Sequence, residues 1–243
     1  MDSDLRIGTA GWTIPATVAG AFPQEGSGLA RYAARLSCAE INSSFHRSHR
    51  EATWRGWAQA VPEGFLFSAK LSKAVTHGLK LRDCAEPLAA AIAEMRLLGE
   101  RLGVVLVQLP PSLQFDAKVA EAFFAEMRRR WEGAVACEPR HASWFEGGAD
   151  ALLEAQKVAR VAADPARAAR GDAPGGWRGL AYFRLHGSPV MYRSSYDDGR
   201  LEGLAARIRR ERERGVPVWC IFDNTASSGA TANALKLADL VEA

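Results

Sequence analysis

The sequence predicts an α/β fold, a single (β/α)8 TIM barrel spanning residues 1–243, with its sixth helix short or missing. The length of 243 residues is close to the roughly 250 typical of one such barrel. Short apolar segments rich in β-branched residues recur about every 30 residues, the length of one β-α unit. Most of them are followed by an amphipathic segment, and this alternation favours a parallel sheet.

Eight strands are predicted, each a continuous apolar run of the kind expected for strands covered on both faces. They are placed at residues 5–9, 37–41, 65–70, 104–109, 134–138, 158–164, 180–185 and 218–222. Eight such units favour a closed barrel, while a doubly wound open sheet is the alternative.

The helical pattern is clearest at residues 86–101, 117–131, 201–214 and 231–241. The unit after the sixth strand is irregular, because residues 165–179 contain two prolines and four glycines. A full helix hardly fits in that segment, which is the reason for expecting the sixth helix to be short or absent.

Composition restricts the classes of function. A formal net charge of +3 gives little support for binding nucleic acid. The four cysteines are far apart and form no C-x-x-C pair, which favours a reduced setting. No apolar run approaches the 18 or so residues of a membrane span, and no signal peptide is recognisable. We therefore expect a cytoplasmic protein without membrane contact; the pattern gives no oligomeric state.

Polar residues stand at the carboxyl end of every predicted strand. Barrel enzymes place their chemistry at this end, where the loops converge on the barrel axis. One shared, partly hydrated pocket would explain why so many charges follow apolar strands, because a lone buried charge is costly. The residues are Thr9, Glu40, Asn42, Lys70, Gln108, Glu138, Arg140, His141, Asp164, Arg184, His186, Asp223 and Asn224.

The first hypothesis is an enzyme, a hydrolase, lyase or isomerase, that uses acid/base chemistry on a small polar, anionic substrate. Imidazoles titrate near working pH, and paired arginines suit a phosphate or carboxylate. The predicted catalytic residues are Glu138, His141, His186, Asp223 and Lys70. The predicted substrate-binding residues are Glu40, Asn42, Gln108, Arg140, Trp144, Asp164, Arg184 and Asn224.

Two alternatives stay open. No cofactor is predicted, but a divalent metal could be held by oxygen and imidazole ligands from four consecutive strands: Glu138, Asp164, His186 and Asp223. Such a site would resemble those of sugar-isomerase and abasic-endonuclease barrels. The other alternative is a non-catalytic ligand or nucleic-acid binder with phosphate contacts from Arg160, Arg167, Arg170 and Arg178.

Eight segments of the chain, in order, resemble the YecE-like family, also called domain of unknown function 72. They are IGTAGW (7–12), EINSSF (40–45), FSAK (67–70), TH (76–77), LVQLPP (106–111), EPRHASW (138–144), YFRLHG (182–187) and FDN (222–224). The resemblance implies a (β/α)8 barrel and no established activity. Two positions depart from the family pattern: His46 stands where tyrosine is usual, and Asp223 where asparagine is usual.

Overall fold

A computed structural model describes residues 4–242, and its strands form one sheet. The strands are β1 Leu5–Ala10, β2 Cys38–Ile41, β3 Leu66–Lys70, β4 Leu102–Gln108, β5 Ala134–Glu138, β6 Val158–Arg160, β7 Ala162–Asp164, β8 Gly175–Gly176, β9 Ala181–Leu185 and β10 Val218–Phe222. All eight predicted strands are present, with bounds within two residues of those predicted. The sixth is divided into β6 and β7.

The helices lie between the strands. The α-helices are α1 Gly28–Ala33, α2 Glu51–Gln59, α3 Ala85–Met95, α4 Ala117–Arg130, α5 Ala149–Ala155, α6 Asp198–Glu213 and α7 Gly229–Glu242. Short 3₁₀ segments cover Ala16–Ala21, Ser43–Phe45, Arg96–Arg101 and Ala142–Phe145, and one π-helical turn covers Ala74–Gly78. The predicted helix at 86–101 is thus an α-helix continued by a 3₁₀ segment, in which Gly99 leaves helical geometry.

The sheet is barrel-like and nearly closed. Strands β1 to β6 pair in parallel in chain order, β10 pairs with β1, β9 with β10 and β7 with β9. Only Val161 separates β6 from β7, so one extended segment pairs with β5 at its start and with β9 at its end. The α/β barrel-like architecture is confirmed. The sheet is nevertheless mixed, because β8 pairs antiparallel with β6.

The connection from β7 to β9 contains no helix, as the glycines and prolines predicted. The buried guanidinium of Arg160, on β6, holds this connection instead. Its Nε donates to Asp150 Oδ1 over 2.6 Å, and its Nη1 donates to the carbonyl oxygens of Arg170 and Ala173. Asp150 also accepts from the amide of Gly176 in β8. An internal ion pair therefore replaces helix packing at this position.

The apolar core has two layers, because successive side chains of a strand point to opposite faces. One layer fills the space between strands and helices, with Phe67, Val105 and Phe183 among its members. The other lies inside the barrel and includes Leu106, Ala136, Tyr182 and Ile221. The polar side chains considered below continue this inner face at the carboxyl ends of the strands.

All four cysteines are free and buried, in agreement with the reduced setting expected from their spacing. Among the helices of residues 4–242, none has the length and apolar character needed to span a membrane.

Gly8, in β1, permits a close approach between β1 and β2. A Cβ at this position would lie 1.9 Å from the carbonyl oxygen of Cys38, a backbone atom that cannot move aside cheaply. We expect Gly8→Ala to lower the free energy of unfolding by about 1–3 kcal/mol, the usual cost of overpacking. The exposed Gly20, with nothing within 4 Å of its would-be Cβ, gives the control Gly20→Ala. Urea unfolding of both variants tests this; equal midpoints would contradict it.

Candidate functional site

Seven of the predicted site residues meet at the carboxyl end of the barrel-like sheet. Each follows an inward-facing residue of its strand by two positions and therefore shares its face. Gln108 follows Leu106 in this way, and Arg184 follows Tyr182. They are joined by hydrogen bonds, ion pairs or charge interactions, and all are buried. The seven are Glu40, Lys70, Gln108, Glu138, Arg184, His186 and Asp223. Arg140, also predicted, joins them from the loop after β5.

Arg184 binds three carboxylates and is fully buried. Its Nε and Nη2 donate to the two oxygens of Glu40 over 2.9 and 2.5 Å. Its Nη1 donates to Glu138 Oε2 over 2.8 Å, and its Nη2 lies 3.1 Å from Asp223 Oδ2. We call these four residues the buried ion cluster. Burial opposes the charge of Arg184, but the three acids outweigh it and raise its pKa further. Arg184 is therefore an internal counter-ion, with no free side to clamp a ligand.

His186 lies between two acids of the buried ion cluster. Its Nδ1 is 3.0 Å from Asp223 Oδ2, and its Nε2 is 2.8 Å from Glu138 Oε1. Arg140 Nη2 lies 3.2 Å from the same Nε2. A protonated Nε2 can donate to Glu138, and an unprotonated one can accept from Arg140. Both protonation states of this nitrogen thus have a partner, an arrangement suited to passing a proton.

Glu138 and Asp223 stay ionised despite their burial. Desolvation opposes the charge of Glu138, but Arg184, His186 and Arg140 hold its pKa well below the usual range. Gln108 Nε2 adds a hydrogen bond of 2.9 Å to Glu138 Oε2. The pKa of Asp223 is also lowered, by the charge of Arg184 against the effect of burial. Opposite charges at short range account for both directions.

Lys70 is the exception among the charged groups of the site. Only 6% of its surface is exposed, yet its Nζ forms neither a hydrogen bond nor an ion pair with any of residues 4–242. The ammonium lies 4.1 Å from the centre of the Phe45 ring, a cation–π contact. Desolvation, and then the charge of Arg184, lower the pKa of Lys70 to about 8, although the three acids act in the opposite direction. An amine with unused donors therefore remains at the carboxyl end of the sheet.

A cleft adjoins Phe45 on the outside of the site. Its volume is about 430 Å³, within the usual range for ligand pockets. The His77 ring lies edge-on to Phe45, with centroids 5.0 Å apart, and the cleft is lined by Phe45, His46, Ser72, Lys73, Ala74, His77 and Gly78. Burial and the charge of Lys70 lower the pKa of His77, which places His77 within electrostatic range of the amine. We call this space the mouth cleft.

The structure does not bring Asp164 to the site. Asp164 shares the outward face of its segment with Arg160 and Ala162, so period-2 alternation turns it away from the barrel axis. It lines a separate cavity of about 280 Å³ beside Phe183 and helix α6. The expectation that it shares the pocket was wrong, because Asp164 lies on the face of the strand that is directed away from the barrel axis.

Four further predicted site residues have surroundings outside the buried ion cluster: Trp144, His141, Asn42 and Asn224. Trp144 is buried against Phe115 and donates to the carbonyl of Leu113, so it packs beneath the loops. His141 Nδ1 accepts from the amide of Ser143 and caps a short helical turn. Asn224 donates to Ser194 O and Asn233 Oδ1, and the buried Asn42 Oδ1 lacks a hydrogen-bond partner among the described residues.

Three contributors were not singled out from the sequence as site residues. Tyr182 OH lies 3.2 Å from Glu40 Oε2 and 2.8 Å from Ser68 Oγ, beneath the buried ion cluster. These two residues precede Arg184 and Lys70 by two positions, so strand alternation could have found them. Tyr192, whose ring lies edge-on to His186 with centroids 5.7 Å apart, comes from the loop after β9 and had no such signal.

The metal alternative receives no geometric support, and the nucleic-acid alternative loses one of its four arginines. Within residues 4–242, no three His, Cys, Asp or Glu side chains are placed so that they could hold a metal ion. Asp164 lies apart from the other three proposed ligands, and both nitrogens of His186 already face carboxylates. Of the proposed phosphate-binding arginines, Arg160 is buried and paired with Asp150, so it cannot reach a nucleic acid.

These observations define the class of protein: an α/β protein with a barrel-like sheet and buried polar side chains at the carboxyl ends of its strands. The profile of a family described as "Protein of unknown function DUF72" matches residues 6–243. The chain belongs to this family, the same one that its motifs resemble. Among curated proteins, none matches the chain.

Solved structures agree on the fold. A DUF72 family protein from Enterococcus faecalis superposes with a TM-score of 0.81 at 18% identity, over 98% of this chain and 96% of that one. One from Thermotoga maritima gives 0.78 at 23% identity, over 98% and 99%. A putative vitamin-B12 independent methionine synthase from Listeria monocytogenes gives 0.54 at 9% identity, over 88% and 85%. At these identities the likeness concerns the fold alone.

Proposed function

We propose that this protein is an enzyme that performs acid/base chemistry on a small anionic substrate bearing a phosphate or carboxylate. In this proposal the scaffold is a (β/α)8 barrel in which β6 and β7 together serve as the sixth strand. The observation that carries the proposal is a cation of the site that lacks an acceptor: Lys70 is buried and contacts no carboxylate of residues 4–242, whereas the three acids make their contacts with other groups.

The contacts of the charged groups support an anionic substrate. Three carboxylates of the site face two arginines, and their contacts are made with Arg184, Arg140, His186, Gln108 and Tyr182. Lys70 brings the cations to three, equal to the number of carboxylates, but none of these carboxylates contacts it. A substrate anion would supply the missing acceptor, at a place where a charge-assisted hydrogen bond is strong because water is largely excluded.

Arg140 is the arginine suited to contact a substrate. About 10% of its side chain is exposed, against none of Arg184. Its Nε and Nη2 both donate to Glu138 Oε1, at 3.2 and 3.1 Å, and Glu138 raises its pKa against the effect of burial. Arg140 is thus permanently charged and lies on the solvent side of the buried ion cluster.

Proton transfer is assigned to His186 with its neighbours. Asp223 orients the imidazole through Nδ1, and Glu138 and Arg140 offer partners for both states of Nε2. Lys70, with its pKa of about 8, is able to give or take a proton near neutral pH. Hydrolases, lyases and isomerases all use such a pair of proton carriers.

Binding of a simple anion tests the first half of the proposal. At ten times its dissociation constant, phosphate should stabilise the protein by about 1.4 kcal/mol and raise the melting temperature by roughly 3–6 °C. Sodium chloride at equal ionic strength should not. Arg140→Met should remove the effect, whereas Arg55→Met, which alters an exposed arginine of α2, should retain it.

Adding a chelator distinguishes the metal alternative from the proposed anion-binding site. If EDTA lowers the melting temperature, Mn²⁺ or Mg²⁺ restores it and phosphate has no effect, the metal alternative replaces our proposal. For catalysis, carboxylates and phosphate esters incubated with the protein in D₂O should show exchange or conversion by proton NMR. A folded His186→Asn variant that acts as fast as the wild type would contradict the assignment of proton transfer.

A further inference from the structure

We infer that Lys70 is a nucleophile that forms a Schiff base with the carbonyl group of the substrate, so that the substrate is an aldehyde or ketone carrying an anionic group. The inference rests on the proposed function and narrows its substrate class. It follows from the placement of the Lys70 amine: at the end of an inward-facing row, buried, unpaired, and in contact with the Phe45 ring, which also lines the mouth cleft.

The surroundings of Nζ separate this lysine from a structural one. A buried lysine normally pairs with a carboxylate, because an isolated ammonium is costly to desolvate. The site holds three carboxylates, yet Arg184 contacts all of them and leaves Lys70 with the face of the Phe45 ring. Lys70 therefore forms no ion pair with these carboxylates, and its amine is free to react.

The protonation state of the amine fits this use. Only an unprotonated amine attacks a carbonyl, and enzymes obtain one by desolvation or a nearby cation. Both act on Lys70, since desolvation and the charge of Arg184 are the two largest influences on its pKa of about 8. At pH 7 about a tenth of such an amine is unprotonated, roughly two-hundredfold more than for an ordinary lysine.

The step balances without oxidant or reductant. Nζ attacks the carbonyl carbon, and one proton passes from nitrogen to oxygen to give a carbinolamine. A proton donor then protonates the hydroxyl, which leaves as water, while a base takes the remaining N–H proton and the C=N bond forms. His186, oriented by Asp223, is the proton carrier assigned to these steps, and Asp223 is close enough to Lys70 for the two charges to influence each other's pKa.

The inference makes a covalent intermediate open to trapping. Borohydride delivers hydride to the imine carbon and nitrogen takes up a proton, which leaves a stable secondary amine. The full-length protein is incubated with pyruvate, dihydroxyacetone phosphate or neutral dihydroxyacetone, then reduced, and adducts are located by peptide mass spectrometry. We expect labelling of Lys70 at least about tenfold above that of Lys73, the exposed lysine of the mouth cleft.

Matched variants make the result specific. Lys70→Arg keeps the positive charge and removes the nucleophile, so it should abolish the adduct in a folded protein. Lys73→Met should leave the Lys70 adduct unchanged. Arg140→Met should reduce labelling by dihydroxyacetone phosphate more than labelling by dihydroxyacetone.

The outcomes separate this inference from the proposed function. If phosphate still stabilises the protein through Arg140 but none of the three probes labels Lys70 above Lys73, the Schiff-base inference is wrong and the proposed function stands. If neither effect is seen, both are wrong. Labelling that persists at the same peptide in Lys70→Arg would also overturn the inference.

Discussion

Replacing Arg184 by methionine is expected to lower the free energy of unfolding by about 3–5 kcal/mol at pH 7, the usual cost of breaking a buried ion pair. The variant keeps an unbranched apolar stem but leaves Glu40, Glu138 and Asp223 close together without their common cation. Urea unfolding measures the effect. The control is Arg55→Met, which removes an exposed ion pair with Glu51 and should cost no more than about 0.5 kcal/mol.

The loss of unfolding free energy caused by Arg184→Met should become smaller as the pH falls. In the wild type the pKa values of Glu138 and Asp223 are lowered, so their contribution is complete above the unfolded values near 4 and is lost as pH falls through the folded ones. Without Arg184 the acids repel one another when ionised, and protonation relieves this. At pH 4.5 the wild type and the variant should therefore differ less than at pH 7.

A partial rescue checks the cause. Glu40→Gln removes one of the three charges, so Arg184→Met combined with Glu40→Gln should be more stable than Arg184→Met alone. If Arg184→Met unfolds at the same urea concentration as Arg55→Met, or the double variant is no more stable than the single one, the counter-ion role of Arg184 is wrong.

Replacing Lys70 by methionine is expected to raise the free energy of unfolding at pH 7, the opposite of the effect of Arg184→Met. Lowering a lysine pKa from about 10.4 to about 8 corresponds to roughly 3 kcal/mol of unfavourable interaction of the charged form with the folded protein. Methionine fills the same apolar stem and carries no charge. We therefore expect an increase in unfolding free energy of up to about 3 kcal/mol.

The gain should depend on pH with a defined sign. Between the folded and unfolded pKa values the unfolded chain binds more protons, so the wild type becomes more stable as pH rises from about 8 towards 10.4. The advantage of Lys70→Met should be full below pH 7 and should largely disappear by pH 10. Urea unfolding at pH 7 and pH 10 measures it, with Lys73→Met as the control, since Lys73 is exposed.

A destabilised Lys70→Met at pH 7 would show that the ammonium is needed for folding, and would refute the view that the site keeps it at a cost. A stabilised variant that also fails to form the borohydride adduct would connect stability and function at one residue. Active sites commonly hold groups that the fold would otherwise exclude.

The sequence alone determined the strand positions and the residues that end them. Continuous apolar runs such as 134–138 and 218–222 have the same bounds in the structure, because burial on both faces requires them. The glycines and prolines of 165–179 likewise predicted a missing helix. Period-2 alternation was sufficient to place Glu138 with Arg140, and Arg184 with His186, on one face.

Only the tertiary structure decided which of these residues lie together and which charges pair with one another. Glu40 and Arg184 are 144 positions apart, and nothing local shows that one arginine neutralises three acids while Lys70 stays unpaired. Alternation through β6 and β7 turned Asp164 outward, and the ion pair with Asp150 gave Arg160 a structural role, against the sequence hypothesis. Pairing of charges depends on distances across the barrel, and these are fixed by sheet curvature and register, which a one-dimensional pattern does not contain.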